Sequence, residues 1–386
     1  MGLDIDAWYG VPWQQSELGA EKLIAESPSD FASEETLGTW LARSRALVTP
    51  PASKREGGAL VLGRFNPPHL GHAFLLQSAE QAVKGPLLVF VVGHPQDRLS
   101  LLTRKLLVQQ MVYHPRNRVR TTSELPVTGS PHQPEFWKAW ADWLRRQDLS
   151  PEIRTLVASD PQARALADEL KMDFVLVDPE RRNVPISATM IRKAPWEHWS
   201  FIHPGARGCF AGSVVLMGPE GAGKTTLSQA LARHYGTSRA AEFIAYWASK
   251  NPGKTPALDD FSLLLREELE ILRAARSSAR RFFVADTDML SLLLWKQRLH
   301  GGEDLSRALP WDMGDLYFVL DDAPWLGPAS RNEPAARAAF VRASMEAVRA
   351  HGRTPVLLTG PRESRAAAAI AAIDSWIRTN PSAWEK

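Results

Sequence analysis

Two histidines stand three residues apart in the stretch GRFNPPHLGH, residues 63–72, directly after a short apolar run. Gly63 ends that run, and the missing side chain there lets a ligand approach the backbone. The proline pair stiffens the loop, and a helix is expected to begin near His69. His69 and His72 would then face one side of its first turn. Because a helix N-terminus attracts anions, imidazole donors at this place predict a polyphosphate site.

Two other interpretations of the histidine pair stay open at this point. Histidines at this spacing could ligate a metal ion, although no third histidine or cysteine stands nearby in the sequence. They could also be ordinary surface residues. The polyphosphate site is favoured because the glycine, the prolines and both histidines occur together after an apolar run.

A second stretch, PISATMIRK at residues 185–193, offers hydroxyls and a cation. Ser187 and Thr189 stand at an expected helix start, and Arg192 follows one turn later. Hydroxyls and backbone N–H groups can hold a phosphate there, while Arg192 adds a forked donor. Taken alone, the stretch would fit a helix cap with a surface arginine better.

A third stretch, GPEGAGKTT at residues 218–226, fits the P-loop pattern G-x-x-x-x-G-K-[ST] in full and lies between an apolar run and a helical segment. The pattern predicts that Lys224 reaches the β- and γ-phosphates of ATP and that Thr225 ligates Mg²⁺. The ATP-binding residues expected in this loop are Gly218, Gly221, Gly223, Lys224, Thr225 and Thr226.

Acidic residues follow the next apolar run, in FFVADTD at residues 282–288. One of Asp286 and Asp288 is expected to serve the Mg²⁺ shell and the other the acceptor hydroxyl of a substrate. The sequence does not assign the two roles; Asp286 is placed provisionally with Thr225 at the metal. A strand-end turn with solvated acids is the alternative. Arg331 is expected on a lid over the γ-phosphate, with Arg337 and Arg342 as equal alternatives.

Short apolar runs with helical segments between them position these motifs. GALVLG (58–63) and PLLVFVVG (86–93) read as buried parallel strands around a helix, and TLVAS (155–159) and DFVLVD (173–178) bracket another. VVLMG (214–218), FFVAD, LYFVLDD and PVLLTG repeat this class of pattern. The sequence predicts an α/β protein with two parallel-sheet domains, a Rossmann-like domain over residues 57–205 and a P-loop kinase domain over residues 206–386. Residues 1–56 form a leader of unknown role in which ETLGTWLARSRALV predicts one amphipathic helix.

Composition narrows the class of protein. The chain has 386 residues, of which 44% are hydrophobic and 23% charged, as in soluble globular proteins. No apolar run of 18 or more residues and no secretory signal is present, and Cys209 is the single cysteine, so a reducing cytoplasm is expected. The net charge of +3 is scattered, so we expect neither a membrane nor nucleic acid as a partner. The oligomeric state, a homo-oligomer included, stays open.

The first two stretches together resemble the signature of the nucleotidylyltransferase superfamily, whose HxGH and ISxTxIR motifs hold ATP. The resemblance implies that His69, His72 and Arg192 stabilise charge during adenylyl transfer. It also implies an ATP site made of Gly63, Arg64, Phe65, Asn66, His69, His72, Ser187, Thr189 and Arg192.

The order of the two domains resembles the NadR family, over roughly residues 58–360. This resemblance implies that the second domain phosphorylates nicotinamide riboside to nicotinamide mononucleotide with ATP, and that the first joins the mononucleotide to AMP, giving NAD and pyrophosphate. The implied catalytic residues are His69, His72, Arg192, Lys224, Asp286 and Asp288, and the implied substrate residues are Glu242, Asp286, Asp288 and Trp137. Trp137 would stack on the pyridine ring, although its spacing from Trp140 and Trp143 equally suits a core helix.

One departure from the family pattern leaves alternatives open. The family often has an acid followed three positions later by arginine; Glu242 matches the acid, but Ala245 stands in place of the arginine. An arginine from elsewhere, such as Arg239, could replace it. The kinase domain could therefore be inactive, regulatory or specific for another substrate, and a nucleotide-sensing regulator is a further alternative. The preference between nicotinamide and nicotinic acid forms also stays open.

Overall fold

The computed structural model describes residues 35–95, 97, 99–124, 126, 134–147, 149–302, 313–321 and 334–379. Within this part the chain forms two compact units, which meet in the sequence between Phe210 and Ala211. Each unit contains one five-stranded sheet. The α/β fold class with two parallel-sheet domains is therefore confirmed.

The sheet of the first unit has the strand order β3-β2-β1-β4-β5, and every pairing is parallel. Its strands are β1 (Gly58–Gly63), β2 (Leu87–Val92), β3 (Arg118–Thr122), β4 (Ile153–Ala158) and β5 (Asp173–Leu176). The chain adds strands on one side of β1 and then crosses to the other. The loop after β1 therefore leaves the sheet where the strand order reverses, which is where open α/β sheets bind ligands.

Helices flank this sheet. They are α1 (Leu37–Arg45), α2 (Leu70–Ala82), α3 (Leu101–Gln109), α4 (Pro134–Arg145), α5 (Arg164–Leu170), α6 (Ala188–Lys193) and α7 (Pro204–Arg207). β2 is buried along its whole length, as its run of apolar residues predicts. Phe90 of β2 packs edge-on against Trp143 of α4, in a cluster that covers one face of the sheet.

The described part of the leader belongs to the first unit. α1 forms within the predicted amphipathic segment, and it buries Trp40 and Leu41. The Trp40 indole donates to the carbonyl of Ser200 at 3.1 Å, and the amide of Gln77 in α2 donates to the carbonyl of Leu41 at 3.3 Å. Residues 35–56 thus pack on the first domain, whose predicted start was residue 57. The unit also extends past its predicted end at residue 205, to Phe210.

The sheet of the second unit has the order β10-β9-β6-β8-β7 and is also parallel throughout. Its strands are β6 (Gly212–Met217), β7 (Arg239–Ala240), β8 (Phe282–Ala285), β9 (Leu316–Leu320) and β10 (Pro355–Leu358). Its helices are α8 (Lys224–Tyr235), α9 (Phe243–Lys250), α10 (Asp260–Ser277), α11 (Met289–His300), α12 (Pro334–Ala350) and α13 (Arg362–Thr379). The fully buried β6 is central and leads into the P-loop.

Candidate nucleotide sites

The loop after β1 folds back over its own strand. Phe65 has φ 49° and a buried ring, and a Cβ added at Gly63 would lie 2.9 Å from Cε2 of that ring. The Phe65 ring therefore fills the space over Gly63, where we had predicted that a ligand approaches the backbone. The Phe65 ring also contacts His72, with 4.7 Å between centroids, so its side chain supports the histidine pair.

His69 and His72 come together as the spacing predicts. His69 is the N-cap residue of α2, which begins at Leu70, and His72 lies in the first turn. Their rings stack with centroids 3.6 Å apart. The Nδ1 atoms of both are buried, and neither has a hydrogen-bond partner among the described residues. Two polar atoms left in this way at a helix start are suited to a polar ligand.

Burial keeps both imidazoles neutral. It lowers the pKa of His72 to about 3, with a smaller contribution from the positive charge of Arg181. Burial also lowers the pKa of His69 well below its usual value, and His72, Arg181 and Arg192 act in the same direction. The site therefore has a net positive field and two uncharged rings, an arrangement that favours an incoming anion.

Arg192 joins the second motif to the first. Ser187 caps α6 by accepting from the N–H of Met190 at 3.1 Å. One turn later the Arg192 guanidinium donates to the carbonyl of Asn66 at 2.6 Å and to the Thr189 hydroxyl at 3.1 Å. Two stretches more than a hundred residues apart in sequence thus form one site. Oδ1 of Asn66 is buried there without a hydrogen-bond partner in the described part of the chain.

A cavity of about 230 Å³ opens beside the histidines. Its lining includes His69, His72, Ser187, Thr189 and Arg181. Sequence reasoning assigned no role to Arg181, because it lies in the unpatterned stretch DPERRNVP between a strand and the second motif.

The backbone around Arg181 is shaped by Asp178. Both residues have positive φ, 46° for Asp178 and 52° for Arg181. The Asp178 carboxylate accepts from the N–H groups of Arg182, Asn183 and Val184, at 2.8 to 3.3 Å. A left-handed backbone is costly for such residues and persists only where the surroundings impose it. This loop places a cation at the cavity wall, and its charge lowers the pKa of both histidines.

Trp137 lies on α4, half-buried against the hydrophobic cluster of the first unit. Its ring meets Phe136 edge-on, with 4.9 Å between centroids. Trp140 and Trp143 on the same helix are buried. All three tryptophans thus take part in core packing, the alternative that their spacing had left open.

The P-loop of the second unit has the expected backbone. Gly218, Gly221 and Gly223 have positive φ values of 141°, 75° and 93°. A Cβ at Gly218 would lie 2.8 Å from the carbonyl oxygen of Leu320 in β9, so only glycine fits there. Lys224 is buried, and its Nζ donates to the carbonyls of Gly218 and Pro219 at 3.1 and 3.3 Å. Thr225 and Thr226 are exposed in the first turn of α8.

Asp286 follows β8 and faces the P-loop. Its carboxylate lies 3.4 Å from the Arg239 guanidinium and contacts the Thr225 hydroxyl. Burial raises its pKa, against the opposing effects of Thr225, Lys224 and Arg239. Oδ1 of Asp286 is buried and has no hydrogen-bond partner within the described ranges.

Asp288, in contrast, has its oxygens occupied within the core. It caps α11 by accepting from the N–H and the hydroxyl of Ser291, both at 2.9 Å, and it accepts from the Tyr317 hydroxyl at 2.5 Å. The sequence expected it at the metal or the substrate. The structure places Asp288 at the N-cap of α11 instead, whereas Asp286 faces the P-loop.

Glu242 stands at the start of α9 beside the P-loop. Burial raises its pKa, Lys224 lowers it, and Asp286 and Glu220 raise it further. Sequence reasoning missed Glu268 of α10, a fully buried acid that accepts from the N–H of Phe243 at 2.8 Å. Burial raises the pKa of Glu268 well above its usual value, and the neighbouring charge of Glu242 acts in the same direction.

Two buried arginines brace the P-loop from outside. Arg337 of α12 donates to the carbonyl of Glu220 at 2.7 Å, and Arg365 of α13 donates to the carbonyl of Ala222 at 3.0 Å. Arg331, the predicted lid residue, lies outside the described residues. Arg337, one of its alternatives, is packed beneath the loop.

The donors at Asp286 fit a magnesium ion better than a protein-held metal cluster. Mg²⁺ commonly takes one or two carboxylates together with nucleotide phosphates. The open Oδ1 of Asp286 and the adjacent Thr225 hydroxyl supply such a set. Within the described ranges, no group of three or more histidine, cysteine or acidic side chains is placed to hold a metal.

The two units match separate protein families. Residues 60–194 match the family described as cytidylyltransferase-like, and residues 213–365 match the AAA domain family. The chain is 24% identical over 304 residues to the trifunctional NAD biosynthesis/regulator protein NadR of Escherichia coli (strain K12), covering 73% of each protein. It is 25% identical over 313 residues to the protein of that name from Salmonella typhimurium (strain LT2), covering 76% of this chain and 75% of the relative. The chain is thus similar to NadR proteins over both of its units.

The chain is an enzyme that combines a nucleotidyltransferase domain with a kinase-like domain. Its fold agrees with solved NadR structures. A crystal structure of NadR in complex with NR superposes with a TM-score of 0.66 at 21% identity, covering 84% of this chain and 97% of the other. A structure in complex with NAD and AMP-PNP gives 0.64 at 21% identity, covering 84% and 98%. None of the helices in the described residues is long and apolar enough to cross a bilayer.

Proposed function

We propose that the chain salvages NAD. Its second domain phosphorylates nicotinamide riboside with ATP, and its first domain joins the resulting nicotinamide mononucleotide to AMP from a second ATP. The observation that carries the proposal is the junction of the two first-domain motifs, where Arg192 meets Asn66 beside the paired histidines. The relatives named above, which are NAD biosynthesis proteins, support it.

In the first domain, a phosphate oxygen of the mononucleotide attacks the α-phosphorus of ATP. The bond from that phosphorus to the bridging oxygen breaks, and pyrophosphate leaves. The protein supplies position and charge, because no covalent intermediate is needed. His69 and His72 donate ring N–H groups to the triphosphate, Arg192 and Arg64 add fixed cations, and Ser187 and Thr189 hold the same end of the nucleotide.

In the second domain, the 5′-hydroxyl of the riboside attacks the γ-phosphorus of ATP, and ADP leaves. Lys224 leaves its loop carbonyls and binds the β- and γ-phosphates. Glu242, whose pKa is raised by burial, takes the hydroxyl proton. Thr225 and Asp286 would hold Mg²⁺, which neutralises phosphate charge when bound. Asp288 supports this site as a helix cap and touches no substrate.

Product formation tests both assignments. The purified chain is given ATP and Mg²⁺ with either the riboside or the mononucleotide, and products are separated by chromatography and identified by mass. We expect NAD from both precursors. Lys224→Ala should make NAD from the mononucleotide alone, and His72→Asn should convert the riboside no further than the mononucleotide. Lys254→Ala, a change at an exposed lysine, is the control. Conversion of the riboside by the Lys224→Ala chain would contradict the kinase assignment.

A second candidate, a kinase domain for another nucleoside, is favoured by Ala245. This residue is exposed on α9 where the family pattern has arginine. Arg239, 3.4 Å from Asp286, supplies a cation at the same site. NAD from the mononucleotide but not from the riboside, together with phosphorylation of a different nucleoside, would favour this candidate.

A further inference from the structure

A buried carboxylate contacts the loop between β1 and α2 of the first domain (residues 64–69, the motif loop). The Asp97 side chain is only 2% exposed. Its Oδ1 accepts from the Arg64 guanidinium and from the Asn66 amide, the latter at 2.6 Å. Its Oδ2 accepts from the N–H of His94 at 2.9 Å and pairs with Arg104 at 3.0 Å. One carboxylate thus binds two side chains of the motif loop and two groups of the scaffold.

Arg104 fixes the other side of this contact. It is 1% exposed, and its guanidinium donates to the carbonyls of Val92 at 2.8 Å, Leu99 at 3.1 Å and Arg64. Burial lowers the pKa of Arg104, and Asp97 opposes that effect. Because the Val92 carbonyl is the end of β2, Arg104 ties the backbone of the motif loop to the neighbouring strand.

The Arg64 end of this network reaches solvent. The Arg64 side chain is 49% exposed, while Asp97 holds it from the buried side. An ion pair with a half-exposed arginine adds little to stability, since ordering the long side chain offsets the gain. Burying the Asp97 and Arg104 charges is itself costly. The arrangement is therefore poorly explained by stability, and its evident result is a guanidinium held in one direction at the nucleotide site.

We propose that Asp97 and Arg104 are positioning residues for adenylyl transfer. They hold the Arg64 guanidinium and the Asn66 amide where the ATP phosphates meet them, while Arg192 holds the Asn66 carbonyl from the opposite side. The inference rests on the proposed function of the first domain. Neither residue touches the nucleotide; both act through Arg64 and Asn66.

A double-mutant cycle tests whether Asp97 acts through Arg64. The variants are Asp97→Asn, Arg64→Ala and their combination, and kcat and KM for ATP are measured in NAD formation from the mononucleotide. We expect Asp97→Asn to lower kcat/KM by about 10- to 100-fold, since misplacing a charge-stabilising group has effects of that size. Adding it to Arg64→Ala should cost less than it does alone, because, of the contacts of Asp97 with side chains of the motif loop, only that with Asn66 is then left to lose. Asp142→Asn, which breaks the exposed pair of Asp142 with Arg145, is the matched control and should change neither constant.

The outcomes separate positioning from a purely structural role. Fully multiplicative losses in the double variant, or a lower Tm with unchanged kcat and KM, would overturn the proposal. Arg104→Lys keeps the charge but loses the forked donors, and it should show the same coupling to Arg64→Ala. If neither Asp97→Asn nor Arg104→Lys folds while Arg64→Ala does, the pair serves the fold and the proposal fails.

Failure of the proposed function gives a different result. In that case the unmodified chain makes no NAD from the mononucleotide. The cycle is then measured on the Kd for ATP in chains that also carry Lys224→Ala, which removes binding at the P-loop. Coupling between Asp97 and Arg64 in that Kd would support the positioning role, and independence would contradict it.

Discussion

The rings of His69 and His72 stack at 3.6 Å between centroids with 28° between their planes, and neither buried Nδ1 has a hydrogen-bond partner among the residues that the structure describes. Stacked neutral imidazoles present two donors in a fixed direction without bringing two like charges together. Such preorganised donors act where charge develops in a transition state, and they need not rearrange during the reaction. The pair is therefore the part of the first site on which rate should depend most.

Replacing either histidine should slow adenylyl transfer more than it weakens ATP binding. We expect His69→Asn and His72→Asn each to lower kcat for NAD formation from the mononucleotide by about 10²- to 10³-fold, the usual cost of one oxyanion-stabilising donor. Steady-state kinetics measure the effect. His114→Asn, a change at an exposed histidine of the same domain, is the control. A rise in KM with an unchanged kcat would show that the pair binds ATP without favouring the transition state.

The lowered histidine pKa values predict acid sensitivity of the first domain. An unfolded histidine titrates near pH ~6.5, whereas the pKa of folded His72 is about 3. Between these values the unfolded chain binds a proton that the folded chain does not, so the free energy of unfolding decreases as pH falls through this window. His69 acts in the same direction. The stabilisation is complete above pH ~6.5 and is lost towards the folded pKa.

Hydrogen exchange of the α2 amides measures this sensitivity, because a chain of two units need not unfold in one step. The free energy of opening α2 should fall between pH 7 and pH 5, and the fall should be smaller in His72→Asn. An equal pH dependence in His72→Asn and in the unmodified chain would contradict burial of a neutral imidazole.

The loops after β1 and β6 were predictable because the sequence pattern that forms each of them is local. Gly218 to Thr225 and Gly63 to His72 are continuous stretches, and each follows an apolar strand. The edge strand β3 was not predicted, since only Val119 and Thr122 of its five residues are buried and no apolar run marks it. Strand β7 was not predicted either, because its two residues are too few to form an apolar run.

Residues that act across the fold leave no such pattern. Asp97 is 33 residues from Arg64, and Arg365 is 143 residues from Ala222. Their roles depend on which loops the two sheets bring together, and nothing in their own neighbourhoods indicates it. Asp286 and Asp288 show that prediction is limited at short range too. They are two residues apart, and only the contacts formed in the folded chain distinguish the one that reaches the P-loop from the one that caps α11. The residue roles in catalysis stay predictions until they are measured.

Replacing each of the two aspartates by asparagine should distinguish a catalytic role from a role in stability. Asp286→Asn should reduce riboside phosphorylation by about 10²-fold or more through loss of charge at the metal position, with adenylyl transfer unchanged. Asp288→Asn should lower stability by roughly 1–3 kcal/mol, because it weakens a charged helix cap and a buried hydrogen bond to Tyr317. Its phosphorylation rate should stay within a few-fold of that of the unmodified chain.

Thermal unfolding and phosphorylation kinetics distinguish these outcomes. Tyr317→Phe removes the same buried contact from the other side, so its destabilisation should not add fully to that of Asp288→Asn. An unchanged Tm together with a loss of kinase activity in Asp288→Asn would show that Asp288 has a catalytic role.

Arg337 and Arg365 donate to carbonyls of the P-loop, and we expect the use of ATP by the second domain to depend on both of them. Arg365 donates to the carbonyls of Ala222 and Gly360, so it fixes the peptide between Ala222 and Gly223 in the P-loop. Arg365→Lys keeps the positive charge but cannot make both contacts. We expect kcat/KM for ATP in riboside phosphorylation to fall by about 10-fold, the equivalent of one charged hydrogen bond. Arg337→Lys, at Glu220, should act in the same direction.

Steady-state kinetics of the second domain test the brace, with Arg362→Lys at the exposed start of α13 as the matched control. Since the charge is retained in both Lys variants, a loss in kcat/KM reports the direction of the loop carbonyls and not the electrostatic potential alone. If Arg365→Lys leaves kcat/KM unchanged while Arg365→Gln lowers it, the arginine acts through its charge, and the bracing geometry is not what the P-loop requires.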